Sequence, residues 1–476
     1  MTSEYNFEVT GLWWLPGQEE KRTCGTLTFS RDEGGRLSLI GAFGDITQLT
    51  ETGPRIVIHG RSKDGRVFTL LDCWRQGSQL SSGGIYCEDY FTSMAVEGFH
   101  FNGEEDLQFD AATVRYPLLE DWLREGGLRA TIEQEEATRG ISNTTFGCTP
   151  PEGKTFRLRD VTLSFNYRYQ ASFILRRATL IYSQVALFEY PEKRSLDAIL
   201  RDITKLRDFL SLALNRPIYP DTITVTSSNL TERFGEEDRL LPIRIHLVSG
   251  ITEVPEGNLA PWDPLFFFTE VRDRFPIVYQ RWLDLYDDLR PAIHSTFAAL
   301  AAGNEYNIDR LLSLTQAVES LHRRLFDGTY MVDEAFETLK ATLVATLPSD
   351  LEPDARASFV SKIGYMNEFS QRKRVKDLIR RIETDFGTDS MNHLDNRGEF
   401  IGKLAATRNY YTHFTPELYA EAYHGIGVVV LIEKLRFLLD MSFLWLLEFT
   451  QDDVHRILGN TNKYRTLGHY RGQPLD

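Results

Sequence analysis

The sequence predicts an α+β multidomain protein, with a β-rich N-terminal half (antiparallel, sandwich- or barrel-like) followed by an all-α helical bundle. Three observations carry this. Short strand patterns punctuated by glycine turns fill the first half of the chain. From about residue 265 the apolar spacing becomes helical and stays so almost to the end. Between them, residues 250–264 contain Pro255, Gly257, Pro261 and Pro264, a composition that interrupts regular structure.

The first expected domain is 1–139. Alternating stretches at 23–29 and 36–43 flank Asp32-Glu33-Gly34-Gly35, and those at 55–60 and 67–71 flank Lys63-Asp64-Gly65. Both are hairpin signals, because such turns need the positive φ that glycine adopts without strain. Further strands are expected at 92–101 and 107–115, and a short helix at 117–124 carrying Trp122. Glycines and prolines at 140–153 mark a boundary. A second β-rich part, 154–250, has strand patterns near 155–168, 178–190, 222–228 and 240–248. One helix interrupts it, capped by Ser195 and ended by Asn215-Arg216-Pro217. The helical domain spans 265–460, with helices expected at 265–275, 276–302, 307–326, 333–346, 353–365, 371–386, 397–408 and 416–450. Residues 461–476 form a tail.

With 42% apolar and 25% charged residues, the composition is that of a soluble globular protein. A formal net charge of −15 excludes a protein that coats nucleic acid non-specifically, although a local basic groove is compatible with it. Residues 1–10 are polar and acidic, so no secretory leader is expected. The most apolar run, 425–449, carries Glu433, Lys434, Arg436 and Asp440, which fits a buried bundle helix and not a membrane span. Cys24, Cys73, Cys87 and Cys148 form no C-x-x-C pair, which fits reduced thiols and a cytoplasmic location. No metal-ligand spacing, phosphate-binding glycine loop, nucleophile elbow or dinucleotide fingerprint is present, so the expected chemistry needs neither metal nor cofactor.

The stretch with the most chemical content is Arg408-Asn409-Tyr410-Tyr411-Thr412-His413. A guanidinium grips phosphate bidentately and stabilises charge developing on it, and a histidine moves protons near neutral pH. Five steps along a continuous helix would leave the two side chains roughly 140° apart. Thr415-Pro416-Glu417 reads as a helix start, so the expectation is a helix ending near Arg408, a polar corner, and a new helix from Pro416. An Arg-x4-His spacing alone is weak; Arg239 and His246, for example, fall in a strand pattern around Pro242. Two neighbouring features are secondary candidates for substrate binding. Glu319 and His322 are an i, i+3 pair beside an apolar stripe, with a surface ion pair or a core histidine as the plainer reading. Arg372, Lys373, Arg374, Lys376, Arg380 and Arg381 crowd one helix, either as a solvated face or as a surface steering a polyanion.

Those residues resemble a known family. Arg408-Asn409-x-x-x-His413 resembles the R-x4-6-H motif of HEPN-domain ribonucleases, in the form with asparagine directly after arginine. LLSLTQAVESLHRRLF (311–326) and YMNEFSQRKRVKDLI (365–379) resemble the ApeA-like HEPN branch. FEVTGLWWLPG, GTLTF and HGRSKDGRVFTLLDC in the front half are similar to the β-rich region paired with it. The resemblance implies a metal-independent endoribonuclease of bacterial anti-phage, abortive-infection-type defence. Its RNA substrate, with tRNA one candidate, would be cut by 2′-OH attack to leave a 2′,3′-cyclic phosphate and a 5′-OH. It implies that Arg408 holds the scissile phosphate, that His413 acts as general base or acid, and that Asn409 orients the histidine or the phosphate. Tyr411 and Thr412 occupy the motif's filler positions, Tyr411 as packing or as a stacking surface. A homodimer or higher homo-oligomer is implied, with two motifs facing one cleft, and a β-rich part that senses a phage-derived trigger.

Two other readings compete. A non-catalytic HEPN module could bind nucleotide, RNA or a protein partner. A carbohydrate- or peptide-binding β protein could use its helical half only to dimerise, on the strength of Trp13, Trp14, Trp74, Tyr86, Tyr90 and Phe91; buried sheet aromatics account for these residues more simply.

Overall fold

The computed structural model describes residues 6–43, 55–80, 84–134, 141–249, 259–301, 307–326 and 328–469. They fall into two compact units, one comprising residues up to 210 with 218–259, the other 211–217 with 260 onwards. Most of the proline-rich stretch at 250–264 lies outside the described residues.

The first unit is organised on a closed six-stranded barrel. Its strands are β1 (Phe7–Trp14), β2 (Thr23–Ser30), β3 (Gly34–Ile40), β4 (Ile56–Ser62), β5 (Val67–Leu80) and β6 (Tyr86–Thr92), all antiparallel neighbours. Alternation places Leu27, Phe29, Leu37, Leu39, Ile58, Phe68 and Leu70 in one core around Trp13. Each such burial stabilises by about 1.5–3 kcal/mol. Trp13 donates its indole N–H to the Gly25 carbonyl at 3.1 Å. Its partner across β4 is Gly60, where a Cβ would come within 2.2 Å of the indole ring. The two hairpin turns fall where the glycines indicate, with Gly34 and Gly65 at φ 86° and 88°.

β5 also pairs with β7 (Met94–Glu97), which carries the sheet outward from the barrel. There follow β8 (Gln108–Arg115), β9 (Leu128–Gln134), β10 (Ile141–Cys148), β11 (Lys154–Arg157), β12 (Thr162–Ile174) and β13 (Arg177–Ser195). β14 (Thr222–Thr226), β15 (Thr231–Phe234), β16 (Glu237–Leu240) and β17 (Ile243–Leu247) complete the set. The outward order is β7-β17-β14-β8-β13-β12-β11, while β9–β10 and β15–β16 are separate two-stranded ribbons. The strand expected across 92–101 is shorter, because Ser93 separates β6 from β7 and Gly98, at φ 126°, ends β7. Helices α1 (Leu119–Leu123) and α2 (Leu196–Leu214) cover this sheet; Trp122 packs edge-on against Phe165 and Phe209, and Tyr116 donates to the Ile203 carbonyl at 2.8 Å.

The second unit is helical: α3 (Phe268–Val271), α4 (Phe275–Ala301), α5 (Ile308–Leu325), α6 (Asp333–Ala345), α7 (Pro353–Gly364), α8 (Gln371–Phe386), α9 (Arg397–His413), α10 (Ile426–Leu446), α11 (Gln451–Asn460) and α12 (Asn462–His469). α10 is buried almost all round, as a central helix should be. Three of its charges are paired, Lys434 with Asp395 at 2.8 Å and Arg436 with Asp440 at 2.8 Å. Asp440 also accepts from Lys463 and Tyr464, both at 3.1 Å. No described helix is long and apolar enough to cross a membrane.

Two helix boundaries differ from expectation at the point that matters. α9 does not end near Arg408 but continues to His413, and no helix begins at Pro416. Only a single 3-10 turn, Pro416–Leu418, forms there, and α10 starts at Ile426. No proline or glycine interrupts 403–413, so the hydrogen-bond ladder propagates until Phe414 adopts a left-handed conformation at φ 52°.

Candidate functional site

α9 is set by its own caps. Asn396 accepts from the backbone N–H groups of Gly398 and Glu399, and Phe400, Leu404, Ala405, Ala406 and Thr407 supply the buried face. Arg408 follows that face and is half-buried, with one guanidinium N–H donating to the Asn409 amide oxygen at 3.0 Å. No carboxylate pairs with Arg408 among the described residues. Thr412 donates back to the Arg408 carbonyl at 2.7 Å. His413 is exposed in the last turn. Since the helix is continuous, Arg408 and His413 point roughly 140° apart, with their functional ends on the order of 10–15 Å from each other.

The chain after α9 folds back along it. Lys403 donates to the Glu421 carbonyl at 3.1 Å, and the Tyr423 N–H donates to the buried Thr407 hydroxyl at 2.9 Å. This return brings His424 against Tyr411 and Tyr419. His424 lies in the loop before α10, not on a helix as its spacing suggested. Its Nε2 lies 2.9 Å from the Tyr419 carbonyl, so it carries the proton; Nδ1 is then the acceptor for the Tyr411 hydroxyl at 3.1 Å. Tyr419 stacks on the imidazole with ring centroids 4.2 Å apart, and Tyr410 meets both rings edge-on. Burial, with Tyr410 and Tyr419 alongside, pushes the Tyr411 phenol up from its ordinary value. Tyr411 is thus a packed, hydrogen-bonded member of an aromatic cluster.

His322 and Arg374 lie elsewhere in the unit and are both buried. Arg374 reaches His322 Nδ1 at 3.2 Å and the Phe369 carbonyl at 3.0 Å, while His322 Nε2 lies 3.1 Å from Asp377. Since a guanidinium can only donate, Nδ1 is the acceptor and the ring's proton sits on Nε2. Burial holds the His322 pKa below its usual value, against the pull of Asp377. Burial would raise Asp377, but hydrogen bonds from Arg381 and His322 outweigh it and hold the carboxyl low. This network ties α5 to α8. Glu319 is half-buried one turn before His322 on α5. The other face of α8 is different: Arg372, Lys376 and Arg380, at i, i+4 and i+8, are all exposed. The Arg397–Glu383 ion pair at 3.0 Å pins the junction of α8 and α9. From it, the basic first turn of α8 and Arg408 on α9 each lie about 16 Å along their own helices.

Comparison with known families matches both parts of the chain. Residues 8–282 match the ApeA N-terminal domain 1, and residues 312–453 match the Apea-like HEPN domain. The chain belongs to the ApeA-like HEPN family. No curated protein matches it, and no solved structure does. The helical part is thus a HEPN module of the defence-associated ApeA kind, a class whose members are generally ribonucleases. The matched HEPN segment contains Arg408, Asn409 and His413 as well as the α5–α8 network. Among the described residues, no group of three or more His, Cys, Asp and Glu side chains could hold a metal ion.

Sequence reasoning did not find the Tyr410–Tyr411–Tyr419–His424 cluster of this HEPN module. The available signal was the density of aromatic residues between 410 and 424, but pairing them requires knowing that the chain doubles back. Asp377 was also missed; its i, i+4 relation to Arg381 was visible, whereas its partner His322 is 55 positions away.

Proposed function

We propose that this ApeA-like HEPN protein is a metal-independent endoribonuclease of anti-phage defence, with a site built from Arg408, Asn409 and His413 of two copies of the chain. The observation that carries the reading is the continuity of α9. It displays an arginine with no carboxylate partner among the described residues, and an exposed histidine, on different faces of one helix. A second α9, related by a two-fold axis, would set the arginine of one copy beside the histidine of the other. Arg408 would hold the scissile phosphate and stabilise the charge that builds on it. Asn409, already hydrogen-bonded to that guanidinium, would fix its orientation. His413 would take the 2′-OH proton or deliver one to the leaving 5′-oxygen, a step that confines cleavage to RNA. Arg372, Lys376 and Arg380 would supply a sequence-independent hold on the RNA backbone.

The test is incubation of wild type, Arg408→Ala and His413→Ala with total RNA, with and without phage lysate, followed by mapping of ends. Fragments ending in 2′,3′-cyclic phosphate are expected from wild type, with a loss of at least about 10²-fold in both variants, the scale of removing an acid–base group. Undiminished cleavage in both would remove the motif from the mechanism. RNA binding without cleavage under every condition would instead favour a non-catalytic HEPN module.

A further inference from the structure

The β-rich unit contains a cavity of about 350 Å³ that the nuclease reading does not use. It lies where the end of β2, the inner part of α2, the strand β14 and the strand β17 come together, so every wall belongs to that one unit. The volume is at the lower end of the range for small-molecule sites, about 300–1,000 Å³. Its floor is apolar, with Phe29, Leu200, Ile203, Ile223, Ile245 and Leu247. Its polar wall is uneven in sign: Arg31, Arg207 and Arg244 line it, against Asp221 as the one lining carboxylate among the described residues.

Each guanidinium is held in place by a polar partner. Arg31 donates to the Ser249 hydroxyl at 3.1 Å and to the Pro220 carbonyl. Arg207 is held by Asp208 at 2.8 Å and lies over the Tyr219 ring at 5.7 Å, and Asp208 itself is not part of the wall. Arg244 lies 3.8 Å from Glu97, which also sits outside the wall. Asp208 and Glu97 thus hold Arg207 and Arg244 from outside the wall, while Arg31 is held by polar groups of the wall itself. That is the arrangement of a preorganised anion site, in which little side-chain freedom is left to lose on binding. Two further groups refine the ligand. Tyr219 offers an aromatic surface, and Asp221, 3.8 Å from Arg115, offers an acceptor for hydroxyl groups.

We propose that this cavity binds a mononucleotide, with its phosphate on the Arg31, Arg207 and Arg244 side, its ribose hydroxyls toward Asp221 and its base against Tyr219 and the apolar floor. The inference does not depend on the nuclease reading, because its test measures binding and not cleavage. Isothermal titration calorimetry of the full chain with AMP, GMP, CMP and UMP, the four parent nucleosides and inorganic phosphate is the experiment. Saturable binding of at least one mononucleotide is expected, at least about tenfold tighter than its nucleoside and than phosphate alone. Arg244→Gln, at a half-exposed position, should weaken it about tenfold through loss of one charge-assisted contact. Thr204→Phe, which fills the cavity, should abolish it, with circular dichroism confirming that both variants fold. Absence of saturable binding by all four mononucleotides overturns the proposal. So does equal affinity for nucleoside or phosphate, or wild-type affinity in either folded variant.

Discussion

Glu97, on β7, accepts a two-pronged grip from Arg66 at 2.8 and 2.9 Å and lies 2.9 Å from His246 Nε2. Burial by itself would raise this carboxyl, but the hydrogen bonds from His246 and Arg66 outweigh it and bring the pKa down to about 2 from 4.5. A depressed acid stabilises the fold fully above its unfolded value and loses that contribution as pH falls toward its folded value. The window is therefore about pH 4.5 down to about 2, and the contribution at neutral pH is on the order of 3 kcal/mol. Glu97→Gln should lower the stability of the β-rich unit at pH 7 by an amount of that order. It should also flatten the fall in stability across that window, as followed by tryptophan fluorescence in urea. Parallel pH profiles for the variant and wild type would show that the carboxylate is not held as described.

On α8 two faces carry the same residue type to different ends. Arg374 is buried between His322 and the Phe369 carbonyl, so Arg374→Ala leaves two acceptors without their donor. The expected loss is about 2–4 kcal/mol of stability, seen as a lower thermal midpoint. The combined change Arg372→Gln, Lys376→Gln and Arg380→Gln should leave that midpoint nearly unchanged, while weakening RNA binding and reducing the salt slope by about 0.7 per lost contact. A fall in thermal midpoint of the triple variant as large as that of Arg374→Ala would erase the distinction. The basic run was legible in the sequence as a run, but which arginine turned inward was not, because His322 and Phe369 come from other segments. Elements with local causes were read well: Gly34 and Gly65 mark their hairpins, and α6 and α7 lie within a residue of the expected ranges. β6 was overlooked because Glu88 and Asp89 look like a loop. Glu88 is in fact buried, accepting from Tyr86, Tyr90 and Arg75. The end of α9 was misplaced because Thr415-Pro416-Glu417 carries every local mark of a helix start. The returning segment instead commits its backbone to Thr407 and Lys403, long-range contacts with no local signature.

For the whole molecule, the separation of Arg408 from His413 on one helix turns a question of mechanism into one of mixing. If each site takes its arginine from one copy and its histidine from the other, a hybrid of Arg408→Ala and His413→Ala chains contains one intact site. Two inactive proteins, co-expressed or exchanged in solution, should regain cleavage approaching half of wild type per hybrid dimer. No recovery in a hybrid shown to form would mean that the site is confined to one chain. In the β-rich unit, the six-stranded barrel and the open sheet share the segment of β5 around Phe68–Leu71, which is flanked by β4 on one side and β7 on the other. Neither layer can open at that seam without breaking hydrogen bonds that belong to both. The two halves should therefore lack separate melting transitions, and amide protons at residues 68–71 should exchange with solvent only through global opening of the unit, at the slowest rate it offers.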